Sequence, residues 1–271
     1  MLGKKMYKFK KNCRICGSNK LVKSFDLGFN PIGDDYTKTL NNANLIPLEI
    51  YSCKNCCFKQ LSTVVDENKV YGDYLYTTST SKGLTRHFEK SCNFLINNKY
   101  IKKNDFILDI GSNDGSNLEI YKKKKFKVLG VEPAKDLCNI SKNKGIDCIE
   151  SFFSKNVVKE ILKKYGNPDL ICIYNVLANI DNLKKFTENL KKLCNKKTVI
   201  SIESFSLFGI IKNNLFDNIY HEHLSYFHVE NLRYFFKKFG LNIIYAENNS
   251  IKGGSLKIIL SSKKIKSKSV T

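Results

Sequence analysis

Two groups of residues in this 271-residue sequence are spaced for chemistry. Cys13-x-x-Cys16 and Cys53-x-x-Cys56 form matched thiol pairs, and the stretch NIYHEHLSYFHVENL (218–232) holds three of the four histidines. Two cysteine knuckles supply four thiolates, the complement of a closed tetrahedral zinc site. A closed set leaves no vacant coordination position, so Zn2+ there is expected to be structural. The alternative is four free thiols on loops, and Cys57 is a spare thiol that complicates the ligand assignment. Cys92, Cys138, Cys148, Cys172 and Cys194 stand alone, mostly in apolar runs, and read as small core hydrophobes.

The histidine stretch admits three readings. His221 and His223 could ligate a metal with Glu222. Alternate residues of an extended segment point to one side, however, which leaves Glu222 on the other. A third ligand would then have to come from His87 or His228. A base reading asks less. An imidazole with a pKa near ~6.5 takes a proton once it is oriented. Glu222 would orient that imidazole or stabilise its charged form, and Tyr220 would hydrogen-bond an oxygen on which negative charge develops. In the third reading these groups only satisfy the backbone of a loop.

The elements that must position these groups follow from hydrophobic rhythm. Residues 1–70 read as a small module of turns and short strands, with room for a hairpin between the knuckles. Residues 71–104 read as a polar aromatic loop followed by an amphipathic helix over roughly 82–99. From 105 onward strands and helices alternate: strands at 105–111, 126–132, 146–151, 168–176 and 197–204, helices near 115–124, 134–144, 154–165 and 181–194. That alternation predicts a parallel sheet covered on both faces. Residues 205–228 interrupt it as an insertion. A helix over 229–240 and two final strands, expected to pair antiparallel, complete a domain spanning 105–261. Residues 262–271 read as a frayed basic tail.

LDIGSNDGSNLEIY (108–121) places a Gly-rich turn between strand and helix. Gly111 and Gly115 let the backbone approach a ligand, and the helix N-terminus behind them favours polar or anionic groups. The spacing is D-x-G-x-x-x-G, which lacks a glycine of the dinucleotide pattern. An NAD site and a plain strand-turn-helix remain the alternatives. Glu132, ending the second strand, stands where an acidic side chain can accept both hydroxyls of a ribose. Glu150 and Phe152, after the third strand, stand where an adenine edge and face would be met.

This constellation resembles the class I S-adenosylmethionine-dependent methyltransferases. The order of the four-cysteine module, DYLYTTSTS, LDIGSNDGSNL, YNVLANIDNL, DNIYHEHLSYF and GGSLKI resembles the sugar C-methyltransferase family across residues 13–260. The resemblance implies an α/β fold with a Rossmann-like sheet and a small N-terminal zinc module. It implies S-adenosyl-L-methionine as cofactor, with Asp109 orienting the turn, and Asn113 and Asn175 joining Gly111, Gly115, Glu132, Glu150 and Phe152 around it. It implies His223 as the base that deprotonates carbon beside a keto group, Tyr220 and Glu222 as its neighbours, and Tyr76 as a substrate-facing tyrosine. The substrate implied is a nucleotide-linked or surface-glycan sugar. Two departures stand out. Asn179 replaces a histidine found in many members, and the chain stops at Thr271 where members continue into a further domain. A short form with an altered pocket could methylate oxygen instead.

Composition narrows the classes further. The formal charge is +21, yet only Arg14, Arg86 and Arg233 of the 46 basic residues are arginines. Nucleic-acid readers lean on arginine for bidentate contacts, so a solvated lysine-rich surface is favoured over a zinc-ribbon nucleic-acid binder. No apolar run has the length of a membrane span. MLGKKMYKFKKN is basic without an apolar stretch behind it, and a cytoplasmic chain is expected.

Overall fold

The structure is a computed structural model that describes residues 6–33, 44–71, 74 and 76–263. Most of the tail expected at 262–271 lies outside the described residues. The N-terminal part carries β1 (Tyr7–Phe9), β2 (Leu21–Asn30), β3 (Ile46–Cys53), β4 (Lys59–Leu61), β5 (Thr63–Val65) and the short α1 (Glu67–Tyr71). β2 and β3 pair antiparallel, which is the hairpin expected between the knuckles. The helix expected at 82–99 is α2 (Lys82–Asn97), and Ser81 caps it by accepting the Leu84 N–H through its side chain. Leu84, Phe88, Cys92 and Leu95 make its buried stripe at helical spacing.

Strands and helices then alternate as β6 (Phe106–Ile110), α3 (Ser116–Lys123), β7 (Lys127–Glu132), α4 (Lys135–Asn143), β8 (Asp147–Glu150), α5 (Lys155–Lys164), β9 (Leu170–Tyr174), α6 (Leu183–Leu193) and β10 (Val199–Phe205). After them come α7 (Leu207–Lys212), β11 (Ser225–Tyr226), α8 (Val229–Lys237), β12 (Asn242–Asn249) and β13 (Ser255–Ser261). The main sheet runs β12-β13-β10-β9-β6-β7-β8. β10, β9, β6, β7 and β8 are parallel, while β13 pairs antiparallel with both β10 and β12. Every residue of β6 and β9 is buried, as expected of central strands with helices on both faces.

The insertion differs from a plain loop. Ser206 accepts the Gly209 N–H through its side chain and starts α7, while β11 leaves the main sheet altogether. β11 pairs antiparallel with β4, so a second sheet runs β11-β4-β3-β2 and joins the insertion to the cysteine module. Phe227, just after β11, is fully buried against Phe58 of the module with ring centroids 5.6 Å apart. Sequence periodicity could not reveal this, because two residues of strand carry no measurable period.

Phe227→Ala removes the ring that fills the seam between module and insertion. The expected loss is about 3–5 kcal/mol of stability, read from the urea midpoint.

Candidate functional site

The strand order reverses between β6 and β9, and open α/β sheets leave a crevice at the carboxyl ends of such strands. A cavity of about 800 Å³ lies there. One wall is the turn after β6. Gly111 has φ +73°, and a Cβ on it would run into the Val176 side chain, so only glycine lets the turn pass this close to the end of β9. Gly115 (φ +77°) caps α3 and would meet Ser141 Oγ at 2.6 Å. Glu132, buried at the end of β7, receives the Asn113 N–H on one oxygen at 2.9 Å and the Ala134 N–H on the other at 3.0 Å. Each carboxylate oxygen keeps a further lone pair for a hydroxyl.

Asp109 accepts the Asn117 side-chain amide at 2.9 Å, which ties β6 to α3 beneath the turn. Burial pushes its carboxyl up to about 7; the Asn117 bond acts against that shift, and the Glu132 charge adds to it. Phe152 and Asn175 also line the cavity, Asn175 at φ +57°. Glu150 does not. It ends the edge strand β8 and is exposed, and the residues that follow it, Ser151 to Ser154, line the cavity in its place.

Asn113 does more than the sequence suggested. Its side-chain amide donates to Tyr76 O at 2.9 Å, and its carbonyl accepts the Thr78 N–H at 2.9 Å. Asp114 adds a bond from the Ser79 N–H at 3.0 Å. The turn therefore pins the loop carrying Tyr76, which lines the cavity. Asp114 was missed because an acidic residue in a turn has an ordinary local use as a turn former.

The opposite wall comes from the histidine stretch. Tyr220–His223 is a turn closed by the His223 N–H on Tyr220 O at 3.0 Å, not an extended segment. The turn sends the two histidines apart. His221 is buried and donates from Nε2 to Pro47 O of β3 at 3.3 Å. His223 lines the cavity, in tilted ring contacts with Phe205 and Tyr220 whose centroids are 4.1 and 4.0 Å away. His223 Nδ1 lies 2.8 Å from Asn218 O, which can only accept, so Nδ1 carries the proton. Nε2 is left as the acceptor for the Tyr220 hydroxyl at 2.8 Å. The group orienting the imidazole is thus the Asn218 carbonyl, in the role expected of Glu222. Glu222 is buried in the cavity wall.

Burial pushes His223 down to about 3, the Asn218 bond working against it and Lys252 with it, well below the ordinary ~6.5 expected from sequence. Lys252 also lines the cavity, at φ +49° with its ammonium 5.2 Å from the Tyr76 ring centre. Its only trace in the sequence is a lysine before two glycines. Among the described residues, the buried Asn117 Oδ1 and Asn179 Oδ1 are among several polar atoms of wall residues with no hydrogen-bond partner, as suits a cavity that takes a polar ligand. His87 lies elsewhere, 2.8 Å from Glu203.

The four cysteines converge at the far side of the module. Cys13 and Cys56 sulfurs are 3.6 Å apart, as are Cys16 and Cys53, and all four lie within 4.8 Å of one another. A tetrahedron with metal–sulfur bonds of about 2.3 Å has edges of about 3.8 Å, so the set fits a zinc ion. Burial raises the Cys13 thiol to about 11. Cys16 is lowered to about 7: burial would raise it, but the Ser18 N–H, Asn55 and neighbouring thiols outweigh burial. A cation is what turns such a mixed set into four thiolates. Cys57 is exposed and outside the set. Among the described residues this is the only cluster of three or more potential ligands, and the histidine stretch does not form one. No helix among the described residues is long and apolar enough to cross a membrane.

Comparison with known proteins agrees with this geometry. The family model described as "Putative zinc binding domain" matches residues 13–71, and the model described as "Methyltransferase domain" matches residues 85–246. The C-methyltransferase NovU of Streptomyces niveus is 26% identical over 247 residues, covering 90% of this chain and 59% of that protein. The chain therefore spans 59% of the length of that curated relative. A SAM-dependent methyltransferase from Archaeoglobus fulgidus superposes with a TM-score of 0.51 at 18% identity, over 65% of this chain and 94% of that one. The magnesium protoporphyrin IX methyltransferase ChlM of Synechocystis PCC 6803, solved with SAH, gives 0.51 at 12% identity, over 72% and 91%. Both likenesses concern the fold.

Gly111→Ala drives a methyl into Val176 and strains φ, so S-adenosylhomocysteine affinity should fall at least tenfold by calorimetry. The raised Asp109 carboxyl makes native protein hold a proton that the unfolded chain releases near ~3.9. Its stabilisation is complete below that value and is lost as pH rises towards about 7. The urea midpoint should therefore fall over this interval, and fall less in Asp109→Asn.

Proposed function

Because the chain belongs to the methyltransferase-domain family and has the class I S-adenosylmethionine-dependent methyltransferase fold, we propose that it methylates carbon beside a ketone of a nucleotide-linked sugar. The observation that carries this reading is the Tyr220–His223 pair, with the proton-free Nε2 turned to the Tyr220 oxygen at the cavity wall opposite the Gly111 turn. S-adenosylmethionine, when bound, supplies a methyl group already electrophilic on its sulfonium. The protein must supply a nucleophile, and carbon becomes one only when a neighbouring proton is removed. The C-methyltransferase NovU, similar over most of this chain, supports carbon as the acceptor atom.

In this reading Gly111, Asn113, Glu132, Phe152 and Asn175 would hold the cofactor, with Asp109 and Gly115 fixing the turn. Glu132 would accept ribose hydroxyls, and Cys13, Cys16, Cys53 and Cys56 would hold structural zinc. His223 takes the proton from the carbon beside the ketone, directly or through the Tyr220 oxygen. The electron pair left on carbon forms the new bond to the methyl group as the sulfur–methyl bond breaks. Burial keeps His223 neutral and so free to accept at physiological pH. The same burial makes a lone imidazolium costly, so the charge is tolerable only beside the enolate that forms with it. Tyr76, Glu222 and Lys252 face the same space and would fix the acceptor.

A second reading keeps the cofactor and moves the acceptor to a hydroxyl, favoured by the unpartnered Asn179 Oδ1, which could accept from one. Incubation with S-adenosylhomocysteine and a nucleotide-linked deoxyketosugar in deuterated water separates the two. Carbon transfer expects deuterium at the carbon beside the ketone. No exchange, together with an O-linked methyl in the product, rejects carbon transfer. His223→Ala should lower turnover by ~10²–10⁴-fold with S-adenosylhomocysteine affinity unchanged, and near-normal turnover would remove it as the base.

A further inference from the structure

Arg14 lies inside the first cysteine knuckle, between Cys13 and Cys16, and its side chain is 0% exposed. Burying a guanidinium costs several kcal/mol unless hydrogen bonds and an opposite charge compensate. Here the compensating groups come from three separate stretches of the chain, β4, the end of the histidine turn and the segment before α6. The guanidinium Nη1 donates to Leu61 O of β4 at 2.6 Å, while the Arg14 backbone N–H ties the knuckle to the same strand by donating to Gln60 Oε1 at 2.8 Å. Nη1 also donates to Leu224 O at 3.2 Å, one residue past His223. Nη2 lies 3.1 Å from Asp181, two residues past Asn179 of the cavity wall. The Leu224 carbonyl is gripped a second time by the Leu61 N–H at 3.0 Å.

The flanks of the insertion are tied to the same module. The Asn231 side chain donates to Cys56 O at 3.2 Å, Lys238 to Ile15 O at 3.4 Å, and β11 pairs with β4. The turn holding His223 is thus braced from the cysteine knuckles, and the Arg14 side chain links knuckle, turn and cavity wall together. We propose that Arg14 is a positioning residue that couples the folding of the cysteine knuckle, and hence its metal, to the setting of the His223 imidazole. The module then acts as more than a separate stabilising cap: metal loss loosens the catalytic turn while leaving the cofactor wall, built on β6 and β7, intact.

The test is amide hydrogen exchange on the full zinc-loaded chain, compared with Arg14→Met, Arg14→Lys and chelator-treated wild type. Arg14→Met should keep its zinc, exchange at least tenfold faster over 218–226, and leave 106–110 and 127–132 unchanged. Its S-adenosylhomocysteine affinity should stay within twofold, a split that general destabilisation would not produce. Arg14→Lys, which keeps the charge, should restore part of the protection. Chelation should accelerate 218–226 in wild type and add little in Arg14→Met. Unchanged exchange over 218–226 in zinc-loaded Arg14→Met, or in the chelated wild type, overturns the coupling. Should Arg14→Met not fold, Asp181→Asn reads the link from the catalytic side. Faster exchange over 177–182 and 218–226 is expected there, and unchanged exchange overturns it. The inference rests on His223 as base only for its effect on turnover. Faster exchange with normal turnover would discard that base and leave the coupling standing.

Discussion

Two residues of strand hold the architecture together: Ser225 and Tyr226 of β11 pair with Gln60 and Lys59 of β4. The insertion between β10 and α8 holds α7 and one 3-10 turn at Phe216–Asn218, and its other backbone polar groups still need partners. Besides bonds within itself and one to Gly254, it finds them in the cysteine module, through β4 and the Leu61 N–H on Leu224 O. The end of the Tyr220–His223 turn is therefore held against the module by that pairing. The seam is closed by Phe227 on Phe58 and by Arg14, whose burial would be unfavourable without both sides present.

Charge and burial divide the cavity into two walls with different chemistry. On the side of β6 and β7 the polar groups are largely spoken for: Glu132 by two backbone N–H groups, Asp109 by Asn117, Asn113 by the Tyr76 loop. Such a wall is preorganised and changes little when a ligand arrives. On the side of the insertion the His223 imidazole, held by Asn218 O and the Tyr220 hydroxyl, faces the same space as the Lys252 ammonium and the Glu222 carboxyl. An ionic intermediate formed there would meet side chains able to respond to its charge.

Much of the fold was legible because it is local. Each strand and helix expected between 105 and 261 is present within a few residues, since period-2 and period-3.6 patterns are set by neighbours in the sequence. The knuckles and the D-x-G-x-x-x-G turn were legible for the same reason. That Glu150 is exposed while Phe152 two residues on lines the cavity was not legible, because an edge strand and an inner strand look alike in sequence. The extended reading of His221–His223 failed because an i to i+3 turn hydrogen bond, not alternation, sets their directions.

The sequence by itself determined the order of elements, the thiol quartet, the ligand turn and the stretch that carries an imidazole to the cavity. Only the tertiary structure decided which histidine faces that cavity, which of its nitrogens is free, and how far burial shifts it. The same holds for Lys252, Asn218 and Arg14, whose roles depend on groups remote along the chain; Arg14 and Leu224 are 210 positions apart. The physical reason is range. Periodicity and turn chemistry act over a few residues, whereas desolvation and the pairing of buried polar groups depend on whatever the folded chain places alongside.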